Sequence, residues 1–429
     1  MSAKPKNNAL FFIFLTLLID VIGLGIIIPV MPDLIISIVH CDTPHASVIS
    51  GWMMLAYSSM QFLFSPVLGG LSDRFGRRPI LLCSLLAFGL DYFILGFANS
   101  IAFLFVGRFI AGITGASFTT ASAYIADVST PETRAKNFGM IGAAFGLGFI
   151  IGPAIGGMLG GFGLRVPFFV AAGLSLLNTL YGFFVVPESL KPENRRKFEW
   201  KRANPLGALL HLRRYPMLIG LSIAFLLINL AGQSLPTTWA FFGKYQLHWT
   251  ERTIGISLAV VGLGIAGVQG GLNRVLIPKL GEKNSIYLGF LFYAIGMAAC
   301  ALSTQTWMAF AAMLPLALGG LAGPSTQSLM SSQVPPNEQG ELQGTLTSMM
   351  SVTAIIGPLL FPYLFSYFNS ENAPVHLPGA AFFCSAALTL MALLVCLVVF
   401  RNGKFEKLSP AREHTSAKTP EPAEENIAG

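Results

Sequence analysis

Three ionisable side chains stand well inside apolar stretches of this chain: Asp20, Asp91 and Arg108. In "TLLIDVIGLGIIIP" (16–29) no Lys, Arg or His lies within a helical turn of Asp20. A charge at that depth in a membrane costs about 2.5–3.5 kcal/mol on insertion scales, so a role is expected of it. A buried carboxyl can be loaded and unloaded with a proton by modest changes in its surroundings. Every histidine (His40, His45, His211, His248, His376 and His414) falls in a polar connection, so proton handling within the apolar stretches would rest on carboxylates. Asp20 is the expected carrier; a purely structural acid pairing with a neighbouring helix is the alternative. Asp91 and Arg108 lie equally far from the turn at Asn99 and Ser100, so an antiparallel hairpin sets them at one level. Spacing does not say whether they face each other. If they do, the pair holds Asp91 ionised and leaves Asp20 to titrate.

The elements that hold these charges are helices. Hydrophobic residues make up 53% of the 429 and charged residues 11%, against about 25% charged in soluble domains. Apolar runs of roughly 20 residues recur, each able to cross a ~30 Å hydrocarbon core. Unpaired backbone is not tolerated in lipid, so each run should be a helix. The sequence predicts an all-α membrane protein with twelve transmembrane helices, at 9–38, 46–71, 79–98, 101–127, 137–163, 166–187, 216–242, 253–277, 285–303, 306–333, 342–368 and 378–400.

Basic loops stay cytoplasmic. Most of the 27 Lys and Arg fall on the side of the termini, with Arg165, Lys244 and Arg252 opposite. Both termini are therefore expected inside, and the +7 net charge reflects topology rather than a nucleic-acid surface. Residues 1–38 carry Asp20 and no small-residue cleavage site, so they read as a first span rather than a signal peptide. Cys41, Cys83, Cys300, Cys384 and Cys396 are scattered and indicate neither disulfides nor a metal site. No G-x-x-x-x-G-K-[ST] stretch is present, so ATP is not the expected driver. No cofactor and no enzymatic chemistry are expected.

The chain divides at "PESLKPENRRKFEWKRANP" (187–205), charged and Pro-bearing. The expected units are an amino-terminal six-helix bundle (1–187), a cytoplasmic linker (188–215), a second six-helix bundle (216–401) and a disordered cytoplasmic tail (402–429). The bundles repeat in one register: Gly152-Pro153 falls on Gly357-Pro358, Gly76 on Gly281 and Gly139 on Gly344. Such repetition is common in secondary transporters, whose sites lie near the midplane between repeats.

Several motifs together carry a resemblance. "GGLSDRFGRRP" sets Gly69, Leu71, Asp73, Arg74, Gly76, Arg77 and Arg78 in a G-x-L-a-D-r-x-G-r-r pattern; "LFVGRFIAGITGA" holds Arg108, Gly112 and Gly115; "GLGFIIGPAIGG" holds Gly148, Gly152, Pro153, Gly156 and Gly157. Over about 12–400 the chain resembles the major facilitator superfamily, drug/proton antiporter type, nearest the tetracycline/proton branch. The resemblance implies two pseudo-symmetric six-helix bundles, a bacterial inner-membrane location, alternating access, and proton-coupled efflux of a small amphipathic organic compound. A proton-linked importer of a small metabolite is the alternative on the same fold. Proton coupling by Asp20, Asp91 and Arg108 is the expectation from their burial, while the resemblance implies gating by Gly69 and the Asp73–Arg78 loop and an antiporter motif at Gly148, Gly152, Pro153, Gly156 and Gly157. Two departures stand out: the branch's ninth-span acid falls on Tyr293, and its eighth-span histidine on Ile265. The expected partners are the substrate, protons and the bilayer, with a functional monomer.

The residues themselves add detail. Asp73 is placed to cap the helix opening at Pro79 or to pair with Arg77, and Gly76 allows the tight turn. Gly148, Gly152 and Gly156 share one helix face, as close packing requires. Midspan amides (Gln61, Asn229, Gln233, Gln269 and Gln327) are the expected substrate contacts, with helix–helix hydrogen bonding as the alternative for each.

Overall fold

A computed structural model describes residues 4–115, 117–196, 216–334 and 339–402. Most of the linker and the residues after Asn402 lie outside the described residues. Sixteen α-helices follow in order. In the first half these are α1 (Lys4–Ile27), α2 (Met31–Val39), α3 (Thr43–Phe75), α4 (Arg77–Gly96), α5 (Ile101–Thr114), α6 (Ser117–Val128), α7 (Pro131–Gly160) and α8 (Val166–Val185). The second half holds α9 (Pro216–Gly232), α10 (Ser234–Leu247), α11 (Glu251–Gly267), α12 (Asn273–Ala301), α13 (Thr306–Leu318), α14 (Ala322–Ser332), α15 (Gln339–Phe368) and α16 (Ala380–Asn402).

These helices make twelve passes. Among the described residues, ten segments are long and apolar enough to be recognised as spans by composition alone. One of the ten, Glu251–Ala301, is 51 residues long, about 76 Å at 1.5 Å per residue and too much for one crossing. It divides at Gly281, whose φ of 77° no ordinary helical residue adopts. The twelfth pass is α3, diluted by Ser, Gln and Gly.

Four passes are each built from two helices, an interruption the apolar pattern does not reveal. The first breaks between α1 and α2, the fourth at Gly115, the seventh at Gln233, and the tenth at the 3-10 turn Gly319–Leu321. One broken pass opens every group of three. The eighth pass carries a π-helical turn at Val268–Leu272, a geometry often found at functional sites.

Two seams join the halves, α3 against α15 and α7 against α11. At the first, Gly51 meets the Pro358 carbonyl, and the Ser47 hydroxyl donates to the Pro362 carbonyl at 3.2 Å. At the second, Gly255 meets the Pro153 carbonyl and Gly157. The two Gly-Pro pairs of the sequence repeat thus do the same job: each sets a proline carbonyl on a bare glycine of the other half. Lys244 pairs with Asp33 nearby, and the Glu251 side chain hydrogen-bonds Asp33. All these contacts lie toward the face where α3 begins. Toward the face bearing the termini, Gly139, Gly142, Gly146, Gly267, Gly270 and Gly271 look onto open space. Among the described residues, the named contacts between the halves gather toward one face, and these glycines toward the other have no neighbouring atom.

Candidate functional site

Arg108 donates to Asp91 through Nη2 at 3.1 Å, both side chains buried. The hairpin geometry therefore does bring them face to face. Gly107 makes the room: a Cβ there would lie 2.6 Å from Asp91 Oδ1. Oδ1 of Asp91 and Nε of Arg108 have no hydrogen-bond partner among the described residues. Asp20 is 4% exposed, so it faces protein and not lipid. Tyr57 and Tyr92 lie within electrostatic reach of Asp20, Asp91 and Arg108 alike, which makes the three charges one cluster. Gly23 admits Tyr92, whose hydroxyl a Cβ would meet at 2.6 Å. The two tyrosines and Gly107 were not singled out from sequence; spacing gives no hint of a phenol lodged against a glycine of another helix.

The small residues around the cluster are accounted for by close approach. Gly148, Gly152 and Gly156 pack on α1 at Val21, Ile22, Gly25 and Ile26. Pro153 sits against Gly25, and Gly157 reaches α11 at Gly255. Gly112 and Gly115 pack on α3 at Tyr57 and Gln61, and a Cβ on Gly69 would lie 3.4 Å from Thr119.

The Asp73–Arg78 loop is held within its own half. Gly76 has φ 107° and ψ 158°, which favours glycine. Arg77 bridges Asp73 (2.5 Å) and Asp127 (3.2 Å). Of the two roles open to Asp73, pairing with Arg77 is the one observed. The helix opens at Arg77 rather than Pro79, and its cap comes from elsewhere: Glu188, just after α8, accepts the Arg77 N–H at 2.8 Å and the Arg78 N–H at 3.2 Å. A carboxylate there also meets the positive end of the α4 dipole. Arg78 donates to the Phe183 carbonyl at 2.5 Å, and exposed Arg74 lies over the Phe75 ring. In the repeat, Gly281 keeps the positive φ while Glu282 is bound instead by Ser328 at 2.6 Å.

Two cavities are lined by residues expected to form the site. The larger, about 650 Å³, lies in the carboxy-terminal half and is lined by Asn229, Gln233, Gln269 and Gln327, together with Gln343, Tyr293 and Ile265. Four of the five predicted amides thus share one wall. No Asp, Glu, Lys, Arg or His lines it, so it offers neutral donors and acceptors among apolar surface. Gln327 donates to Gln343 at 3.2 Å, and Gln343 escaped notice because it lies close to the polar loop before α15. Gln61 is placed differently: it lines neither cavity and bonds the Gly115 carbonyl (3.2 Å) and Tyr57 Oη (3.4 Å), which ties α3 to the break in the fourth pass. The smaller cavity, about 250 Å³, lies between the halves, lined by Met31, Met53, Met54, Tyr57, Arg108 and Gln233 among others. Arg108 therefore joins the charge cluster to the space between the bundles.

The model of the Major Facilitator Superfamily matches residues 13–314 and 238–425. The chain is 39% identical over 403 residues to a tetracycline resistance protein, class C, from Escherichia coli, covering 94% of this chain and 98% of that protein. It is 39% identical over 361 residues to the class E protein of the same organism, covering 84% and 88%. Among solved structures, a bacterial homolog of the human lysosomal transporter Spinster, inward-facing and occupied, superposes with a TM-score of 0.76 at 16% identity, covering 96% and 100%.

Proposed function

Because the chain belongs to the Major Facilitator Superfamily of membrane transporters, we propose that it is a monomeric proton-coupled antiporter that exports a tetracycline-like amphipathic compound. The observation that carries this reading is the buried cluster of Asp20, Asp91 and Arg108, one of whose members opens onto the space between the bundles. The amino-terminal bundle (to 187) carries the charge, and the carboxy-terminal bundle (216–401) carries the amide-lined cavity. The terminal face is cytoplasmic because the basic residues cluster there, so the molecule is inward-facing.

In this state substrate enters the larger cavity from the cytoplasm. Asp20 gives up its proton to the same side. The Arg108–Asp91 ion pair keeps one acid charged and leaves Asp20 as the carrier. Parting of the two seams then opens the other face, where substrate leaves and Asp20 is reloaded. The Asp73–Arg77–Asp127 network and the Glu188 cap keep the cytoplasmic loop formed while the bundles rock. Gly148, Gly152, Pro153, Gly156 and Gly157 set the close α1–α7–α11 packing on which the seal depends.

Reconstitution tests the reading. Inside-out proteoliposomes with an acid lumen should accumulate tetracycline, and an ionophore that dissipates the pH gradient should release it. Accumulation insensitive to the gradient would refute proton coupling.

A further inference from the structure

Among the described residues, the amide-lined cavity and the cavity between the halves share one lining side chain. Gln233 occupies the break between α9 and α10 and lines both cavities. Its stem lies in the notch left by Gly357: a Cβ on that glycine would run into Gln233 Cβ and lie 2.6 Å from its Cγ. The next residue, Pro358, sets its carbonyl on Gly51 across the seam. The Gln233 carbonyl accepts from the Thr237 hydroxyl at 2.6 Å, which fixes the backbone at the break. The path from cavity to seal is therefore amide, glycine, proline carbonyl, glycine.

The amino-terminal half lacks this lever. Ile28 stands in the register of Gln233, and the three nearest atoms to Gly152 are the Ile22 carbonyl and the Gly25 backbone. No polar side chain stands among them to read a ligand. The asymmetry singles out the carboxy-terminal half as the one in which cavity occupancy reaches the seam.

We propose that Gln233 is the positioning residue through which a bound substrate, by hydrogen bonding its amide, loosens the Gly357-Pro358 contact with Gly51. The proposal rests on the efflux reading above. A ligand carbonyl or hydroxyl that draws the amide into the cavity turns Cγ of Gln233 away from Gly357, while Cβ stays in the notch. Pro358 then has less support against α3, and the seam parts.

The test reads the seam directly. In a Cys41→Ser, Ser47→Cys background, labelling by a membrane-impermeant maleimide is measured from the outer side, with and without saturating tetracycline. Pumping is measured first, in vesicles with an imposed pH gradient. Tetracycline should raise labelling of the parent about fivefold or more, the lower end of ordinary allosteric coupling. Gln233→Met keeps a straight stem of similar length against Gly357 and lacks the amide. It should leave resting labelling unchanged and lose the tetracycline response. Gln269→Met removes an amide from the same cavity without touching Gly357, and should keep the response at a higher tetracycline concentration. An equal response in Gln233→Met and parent, or a response lost equally in Gln269→Met, overturns the proposal while the efflux reading stands. A parent that does not pump tetracycline removes the reading and the proposal with it.

Discussion

Replacing Gly51 by alanine should push the molecule out of the state in which α3 and α15 meet. An alanine Cβ there would overlap the Pro358 carbonyl and lie 3.2 and 3.3 Å from the Pro362 ring. The obstruction is backbone, so no rotamer change relieves it; only separation of α3 from α15 does. Overpacking of this kind costs about 1–3 kcal/mol. The seam exists only while the outer face is closed, so the cost falls on that state alone. At about 1.4 kcal/mol per tenfold, the inward-facing population should fall roughly 5- to 150-fold relative to the outward-facing one. Labelling of Ser47→Cys from outside should rise in proportion, with no substrate present. Gly255→Ala, which meets the Pro153 carbonyl at the symmetric seam, should act alike. Gly142→Ala, with nothing within 4 Å, should have no effect. Unchanged labelling in both seam variants would refute the claim that these glycines close the outer face.

Other consequences follow from the same contacts. Asp91→Asn should lower the thermal midpoint sharply, since stranding a buried Arg108 costs about 3–5 kcal/mol; adding Arg108→Gln should recover much of it in the same melting measurement. Glu188→Ala should cost about 0.5–2 kcal/mol by uncapping α4, read as a lower midpoint and slower transport with unchanged apparent affinity. Gln327→Leu should raise the apparent KM for tetracycline about 2- to 10-fold, the worth of one neutral hydrogen bond, with little change in maximal rate.

The fold was largely legible because the lipid solvent enforces it. Long apolar runs must be helices, and the repeat of Gly152-Pro153 at Gly357-Pro358 announced equivalent positions before any contact was known. The breaks at Gly115, Gln233 and Gly319 were not legible, because apolar residues resume beyond each and the whole run keeps the length of one crossing. Within the site, Asp91 and Arg108 could be set at one level by counting from a turn, yet their pairing depends on Gly107, whose absent side chain carries no periodic signal. Four midspan amides converge on one cavity. Gln61, at a comparable depth, points instead at the Gly115 carbonyl, since a broken pass leaves that carbonyl to be satisfied. The capping role of Glu188 crosses more than a hundred residues, a distance local helix rules do not span.

Exchange and uphill transport, compared in one set of vesicles, reach the central claim most directly. With Asp20→Asn, tetracycline should still exchange across the bilayer down its own gradient, while an imposed pH difference should no longer concentrate it. A variant that still builds a tetracycline gradient from the pH difference would mean that Asp20 does not carry the coupled proton.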